Sequence, residues 1–157
     1  MRYLIILLAL SACATVEQEN NNVATSMTYL DLHEVKDREY LTQFLGVDPA
    51  EVEWCAAFVN AVLKENGYPT SASVHDHPLL ARSFTYYGTK VSEPRQGDII
   101  VLKRGTESWQ GHVGFYLRTE LKNGVPHYVL ISGNDSNSVM INSFPVSRVV
   151  AVRRPDL

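Results

Sequence analysis

From Pro94 to the end of the chain, apolar and polar residues alternate. The pattern predicts strands over Gly97–Leu102, His112–Leu117, His127–Ser132, Val139–Ile141 and Val149–Val152. Before Pro94 the spacing is helical. Leu30, Leu41, Phe44 and Leu45 mark one largely solvated helix across residues 29–45. Phe58, Val59, Val62 and Leu63 mark the buried face of a second, which Asn66-Gly67 ends. Pro78 opens a short helix through Tyr87 that Gly88 closes. Helices followed by a five-stranded antiparallel meander imply an α+β fold with the helices packed on the sheet.

The N-terminus departs from this pattern. Residues 1–12 carry one positive charge, a short apolar run and a small-residue end, which reads as a signal peptide too short to span a bilayer. The quartet Leu10-Ser11-Ala12-Cys13 resembles the lipobox of bacterial lipoproteins. That resemblance implies cleavage before Cys13, lipidation of Cys13 and a membrane anchor. Ala14, with no Asp in that place, points to the outer membrane and its periplasmic face. Residues 14–28 are polar and without period, so Cys13 and residues 14–28 are expected to form a flexible tether, with one domain over residues 29–157. A monomer is expected. The formal charge of −3 and the lack of a basic block argue against nucleic acid as a partner.

Lipidation of Cys13 would leave Cys55 without a disulfide partner. A free thiol in an oxidising compartment is either reactive or deeply buried. Cys55 lies near the start of the second helix, on the face of Phe58 and Val59. Partial positive charge at a helix N-terminus favours a thiolate. This requires a break near Val52-Glu53, because a continuous helix capped by Asp48 would bury Cys55 two turns in. Among the histidines His112 fits a base best, since Gly111-His112-Val113-Gly114 sets it at a strand mouth between glycines. A three-residue loop at Lys122-Asn123-Gly124 would pair Phe115 with Ile131, Leu117 with Val129 and His112 with Asn134. Asn134 is therefore the expected partner of the imidazole. A two-residue Asn123-Gly124 loop would substitute Asp135. Trp54 and Trp109 are candidates for the substrate groove, with core packing the alternative for each. His75 and His77 lack a third ligand nearby, so no metal or other cofactor is expected.

Four segments carry a second resemblance: Trp54-Cys55-Ala56-Ala57-Phe58-Val59-Asn60, Pro94-Arg95-Gln96-Gly97-Asp98-Ile99, Gly111-His112-Val113-Gly114-Phe115 and Ser132-Gly133-Asn134-Asp135-Ser136-Asn137. In this order they resemble the CHAP and NlpC-type cysteine peptidases of the papain-like superfamily. The resemblance implies a papain-like fold with the nucleophile at a helix N-terminus. It also implies metal-independent amide cleavage in peptidoglycan, with Cys55 as nucleophile, His112 as base and Asn134 as the orienting residue. Trp-Cys-Ala-Ala departs from the Asp-Cys-Ser-Gly of NlpC-type enzymes, so their bond preference does not carry over. A non-catalytic peptidoglycan-binding lipoprotein and an acyltransferase using the same residues are the alternatives.

Overall fold

The computed structural model describes residues 21–156, so the expected signal peptide and Cys13 lie outside the described residues. Three α-helices, α1 (Asn22–Met27), α2 (Arg38–Leu45) and α3 (Cys55–Glu65), precede the sheet. Six strands follow: β1 (Thr89–Lys90), β2 (Ile99–Lys103), β3 (Gly111–Lys122), β4 (Val125–Asp135), β5 (Ser138–Pro145) and β6 (Val149–Arg154). A 3-10 helix at Ala81–Tyr86 stands where a helix opened by Pro78 was expected. The architecture is α+β, with every strand pair antiparallel.

The strands lie in the order β1-β6-β2-β3-β4-β5, so the expected five-stranded meander needs two corrections. The last strand does not follow β5 across the sheet. It returns to the other side of β2, and β1 adds a sixth strand on its outer edge. Two residues, Thr89 and Lys90, are too few to show an alternation. Asp98 secures the return: it accepts Arg154 Nε at 3.0 Å and Nη2 at 2.8 Å, and its Oδ2 accepts the Arg95 amide at 2.7 Å.

The polar stretch read as a tether is also corrected within the described residues. Residues 22–27 form α1, and the buried Asn22 and Ser26 face the domain. The contact point is Asn66, the residue that ends α3. Its Nδ2 donates to Asn22 Oδ1 at 3.0 Å, and its Oδ1 accepts Thr25 Oγ1 at 3.1 Å. Asparagine and threonine dock here through side-chain amides and hydroxyls, which leaves no apolar period to read. Downstream, the expected helix from Tyr29 shrinks to α2. Asp31 turns the chain at φ +68°, and residues 31–33 run along β5, exchanging Asp31 N–H to Val139 C=O and Val139 N–H to Leu32 C=O, both at 2.9 Å.

The main core lies between α3 and one face of the sheet. Phe58, Val59, Val62 and Leu63 meet Ile99, Val101, Val113, Phe115 and Ile131 there. Ile100, Leu102, Tyr116, Leu130 and Val152 form a second core on the opposite face. Where α3 meets β4 the fit requires glycine. A Cβ on Gly133 would stand 2.6 Å from the Trp54 ring and 2.7 Å from Phe58 Cβ.

The β3–β4 hairpin combines both expected registers. Asn123 and Gly124 have φ +51° and +77°, forming a two-residue turn that pairs Lys122 with Val125. The register then shifts between Tyr116 and Arg118, and Phe115 pairs with Ile131. The expected Leu117–Val129 pair is replaced by Arg118–Val129, because Leu117 is the extra residue of a bulge. One inserted residue thus restores, near His112, the register a three-residue loop would have given.

Candidate active site

Cys55 stands on the first residue of α3 because the preceding turn closes on itself. Asp48 Oδ1 accepts the Ala50 amide at 3.1 Å, and the Asp48 carbonyl accepts the Glu51 amide at 3.1 Å. Arg38 grips the Asp48 carboxylate from α2. The local bonds are spent in this turn and no helix propagates through Val52 and Glu53. The break falls where a nucleophile at a helix start requires it. The thiol is 4% exposed, and the backbone amides of Ala56 and Val113 lie close enough to act on it, favouring its charged form.

The Val113 amide is free to do so because β3 and β4 part beyond the Phe115–Ile131 pair. Tyr116 directs both its N–H and its carbonyl toward β2, bonding Asp98 and Gly97. By alternation Val113 points the other way, into the gap that β4 leaves. There α3 sets its first residue. The residue that directly follows His112 thus acts on the thiol through its backbone amide.

His112 is 3% exposed and its Nε2 is hydrogen-bonded to Ser132 Oγ at 2.9 Å. Nδ1 is buried with no hydrogen-bond partner among the described residues. Gly114 permits this arrangement. A Cβ there would lie 2.8 Å from Ser132 Cβ and 2.7 Å from the Ile131 carbonyl oxygen. Phe144 packs on the imidazole with ring centroids 5.5 Å apart.

Burial dominates the electrostatics. It pushes the Cys55 thiol up to about 11, against the lowering by the Val113 and Ala56 amides and the charge of Arg104. It pulls His112 down to about 4, helped by Arg104 and Arg148 and opposed by Asp135. The resting pair is a neutral thiol and a neutral imidazole. The Nε2–Ser132 Oγ bond leaves Nδ1 as the ring nitrogen with no hydrogen-bond partner among the described residues.

Two cavities adjoin these residues. A groove of about 390 Å³ runs past Cys55 between Leu79, Leu80, Trp109 and Gly111. A pocket of about 180 Å³ lies at His112, bounded by Asn134, Asp135, Phe144 and Arg148. Arg104 borders both. Residues 47–134 match the CHAP domain. The chain belongs to the CHAP family. No curated protein and no solved structure matches it. CHAP domains are typically cysteine- and histidine-dependent amidases or peptidases, and this chain carries a buried cysteine at the head of α3 and a buried histidine at the start of β3.

Several expected residues take other places in this CHAP domain. Trp109 is 58% exposed and lines the groove. Trp54 does not. It is fully buried, its Nε1 donates to Glu34 Oε2 at 3.0 Å, and its ring covers Gly133. Asn134 does not hold His112 either. Its Nδ2 donates to Glu53 Oε2 at 2.6 Å. Asp135 accepts Asn142 Nδ2 at 2.7 Å and acts on His112 through charge alone. The reason is a second bulge, in β4 between Ser132 and Asp135, with Asn134 at φ +54°. It turns Asn134 away and leaves Ser132 on the ring. Sequence reasoning missed Ser132, although the face alternation of Leu130 and Ser132 could have found it. It also missed Gln110, whose Oε1 accepts the Thr106 and Glu107 amides at 2.9 and 3.0 Å and so shapes the loop that carries Arg104 and Trp109.

The buried imidazole makes stability depend on pH. Between the ordinary value of 6.5 and the folded value of about 4, the unfolded chain binds a proton that the folded chain refuses. Stability is therefore full above pH 6.5 and falls as the pH drops toward 4, by about 3 kcal/mol for this group. Urea unfolding of the native protein and of His112→Gln at pH 4, 5, 6 and 7 measures the effect. The difference between the two proteins is expected to change across that window by about this amount. A difference independent of pH would mean that His112 is not buried as a neutral base.

Proposed function

We propose that this CHAP protein is a cysteine-dependent hydrolase that cleaves an amide bond in or next to the stem peptide of peptidoglycan. The observation that carries the reading is the buried Cys55 at the first residue of α3, where the amide of the residue following His112 acts electrostatically on its thiol. The family supplies the substrate class.

In the reaction, His112 Nδ1 takes the thiol proton as Cys55 sulfur attacks the amide carbonyl. The backbone N–H groups at the head of α3 lie where the oxyanion develops. The C–N bond breaks, the leaving amine takes the proton from His112, and a thioester remains. Water, deprotonated by the same nitrogen, adds to the thioester. The C–S bond breaks, the acid departs, and the proton returns to sulfur. Ser132 anchors the ring through Nε2, and the reaction uses the tautomer with Nδ1 unprotonated. Starting from a neutral pair, His112 acts as a general base, with no resting thiolate–imidazolium pair.

Purified peptidoglycan, digested and analysed by fragment mass, tests the reading. The native protein is expected to release fragments that differ by one hydrolysed amide, and Cys55→Ala to release none. Equal digestion by Cys55→Ala would end the enzymatic reading. Binding of intact peptidoglycan by the native protein, without cleavage, would favour a binding module instead.

Ser132→Ala is expected to lower kcat by about tenfold to a hundredfold with little change in KM, because the ring loses its one fixed partner. Asn134→Ala should cost less, since its amide bonds Glu53 and not the imidazole. The opposite ranking would return the orienting role to Asn134.

The reading extends to an exported protein held at the periplasmic face of the outer membrane through Cys13, supported by the lipobox-like Leu10-Ser11-Ala12-Cys13. Cys13→Ser is expected to move the protein from the membrane fraction to the soluble fraction. Retention of that variant on membranes after a high-salt wash would reject the anchor.

A further inference from the structure

The two cavities differ in chemistry, and the reaction assigns each a side of the cut. Cys55 keeps the acyl half of the substrate, so that half lies in the groove beside the thiol, along Leu79, Leu80 and Trp109. His112 hands its proton to the departing amine, so the leaving half lies on the side of the imidazole. The pocket there is lined by two arginines, Arg104 and Arg148, and by one carboxylate, Asp135. Arg148 is aimed by two contacts: its Nε donates to the Lys103 carbonyl at 3.1 Å, and its guanidinium stands over the Phe144 ring at 5.2 Å. Arg104 closes the opposite wall, and its nearest acid is Glu53, at 4.0 Å. Both acids near the pocket are already engaged. Glu53 accepts Asn134 Nδ2 and Asp135 accepts Asn142 Nδ2. The two guanidiniums keep N–H donors that none of these contacts uses.

We propose that this pocket binds a carboxylate on the leaving side of the scissile amide, with Arg148 and Arg104 as its donors. The inference rests on the hydrolase reading above and narrows its substrate to wall peptides whose released amine carries a carboxylate close to the cut. The acyl half faces mainly apolar side chains. The carboxylate fixes which way the peptide lies across Cys55, since this pocket offers both guanidiniums and the groove offers Arg104 alone, with Glu53 beside it. Arg104, which borders both cavities, stands at the junction.

The test offers purified muropeptides in two forms, with carboxylates free and with them converted to primary amides. The native enzyme is expected to prefer the free form by about tenfold in kcat/KM, carried by KM. Arg148→Gln should erase that preference and Arg148→Lys should keep most of it. Arg104→Gln, at an exposed position that leaves the fold intact, should reduce it. Equal cleavage of both forms by the native enzyme would overturn the inference while leaving the hydrolase reading in place. So would a preference that survives both Arg148→Gln and Arg104→Gln. If neither form nor intact peptidoglycan is cut, the hydrolase reading fails and the inference falls with it.

Discussion

Trp54 lies on Gly133, and the site depends on that contact. No side chain fits between them, since a Cβ on Gly133 would come within 2.6 Å of the indole. The close approach lets the head of α3 press into the gap where β3 and β4 separate. Three consequences follow from the one contact. The thiol of Cys55, next in sequence to Trp54, comes under the influence of the Val113 amide, beyond the last β3–β4 pair. β4 bulges just beyond Gly133, which turns Asn134 outward onto Glu53. Ser132, just before it, stays on the face of His112. A side chain at residue 133 would push α3 off the sheet and separate all three.

That depth of insertion sets the electrostatics. A helix N-terminus favours an adjacent anion by about 0.3–1 kcal/mol. The rise of the Cys55 thiol from 9.0 to about 11 corresponds to about 2.7 kcal/mol in the other direction. Desolvation wins, so the position of Cys55 at the head of α3 does not by itself make a thiolate. In the proposed reaction the helix start has another use, since its first amides lie beside the sulfur, where negative charge develops.

The sequence made the α+β order, the buried face of α3 and the roles of Phe115 and Ile131 legible, because each rests on a repeating apolar period. It also singled out Cys55, which the structure sets at the first residue of α3, and His112, which it sets at the start of β3. What it hid has no period. The α1 helix is held by Asn22, Thr25 and Asn66, whose amides and hydroxyls read as a loop. β1 is two residues long. The hairpin register depends on two bulges, one restoring the offset near His112 and one removing Asn134 from it. Alternation cannot show an inserted residue, and the choice among Ser132, Asn134 and Asp135 turned on where those insertions fall.

The serine partner agrees with the rest of the site. A carboxylate on His112 Nε2 would stabilise imidazolium and favour a resting ion pair with Cys55. Ser132 gives a hydrogen bond without charge. Burial and the positive charges of Arg104 and Arg148 act in the same direction, and Asp135 alone opposes them. Arginines beside a catalytic base would disable it if the base had to rest protonated. Here they help keep it neutral, and the same guanidiniums remain available to a substrate anion. Under the proposed reaction, an anion bound there would offset their charge and raise the proton affinity of His112 as the imidazole accepts the thiol proton. The proposal thus couples substrate binding to base activation through Arg104 and Arg148, with no movement of the imidazole required.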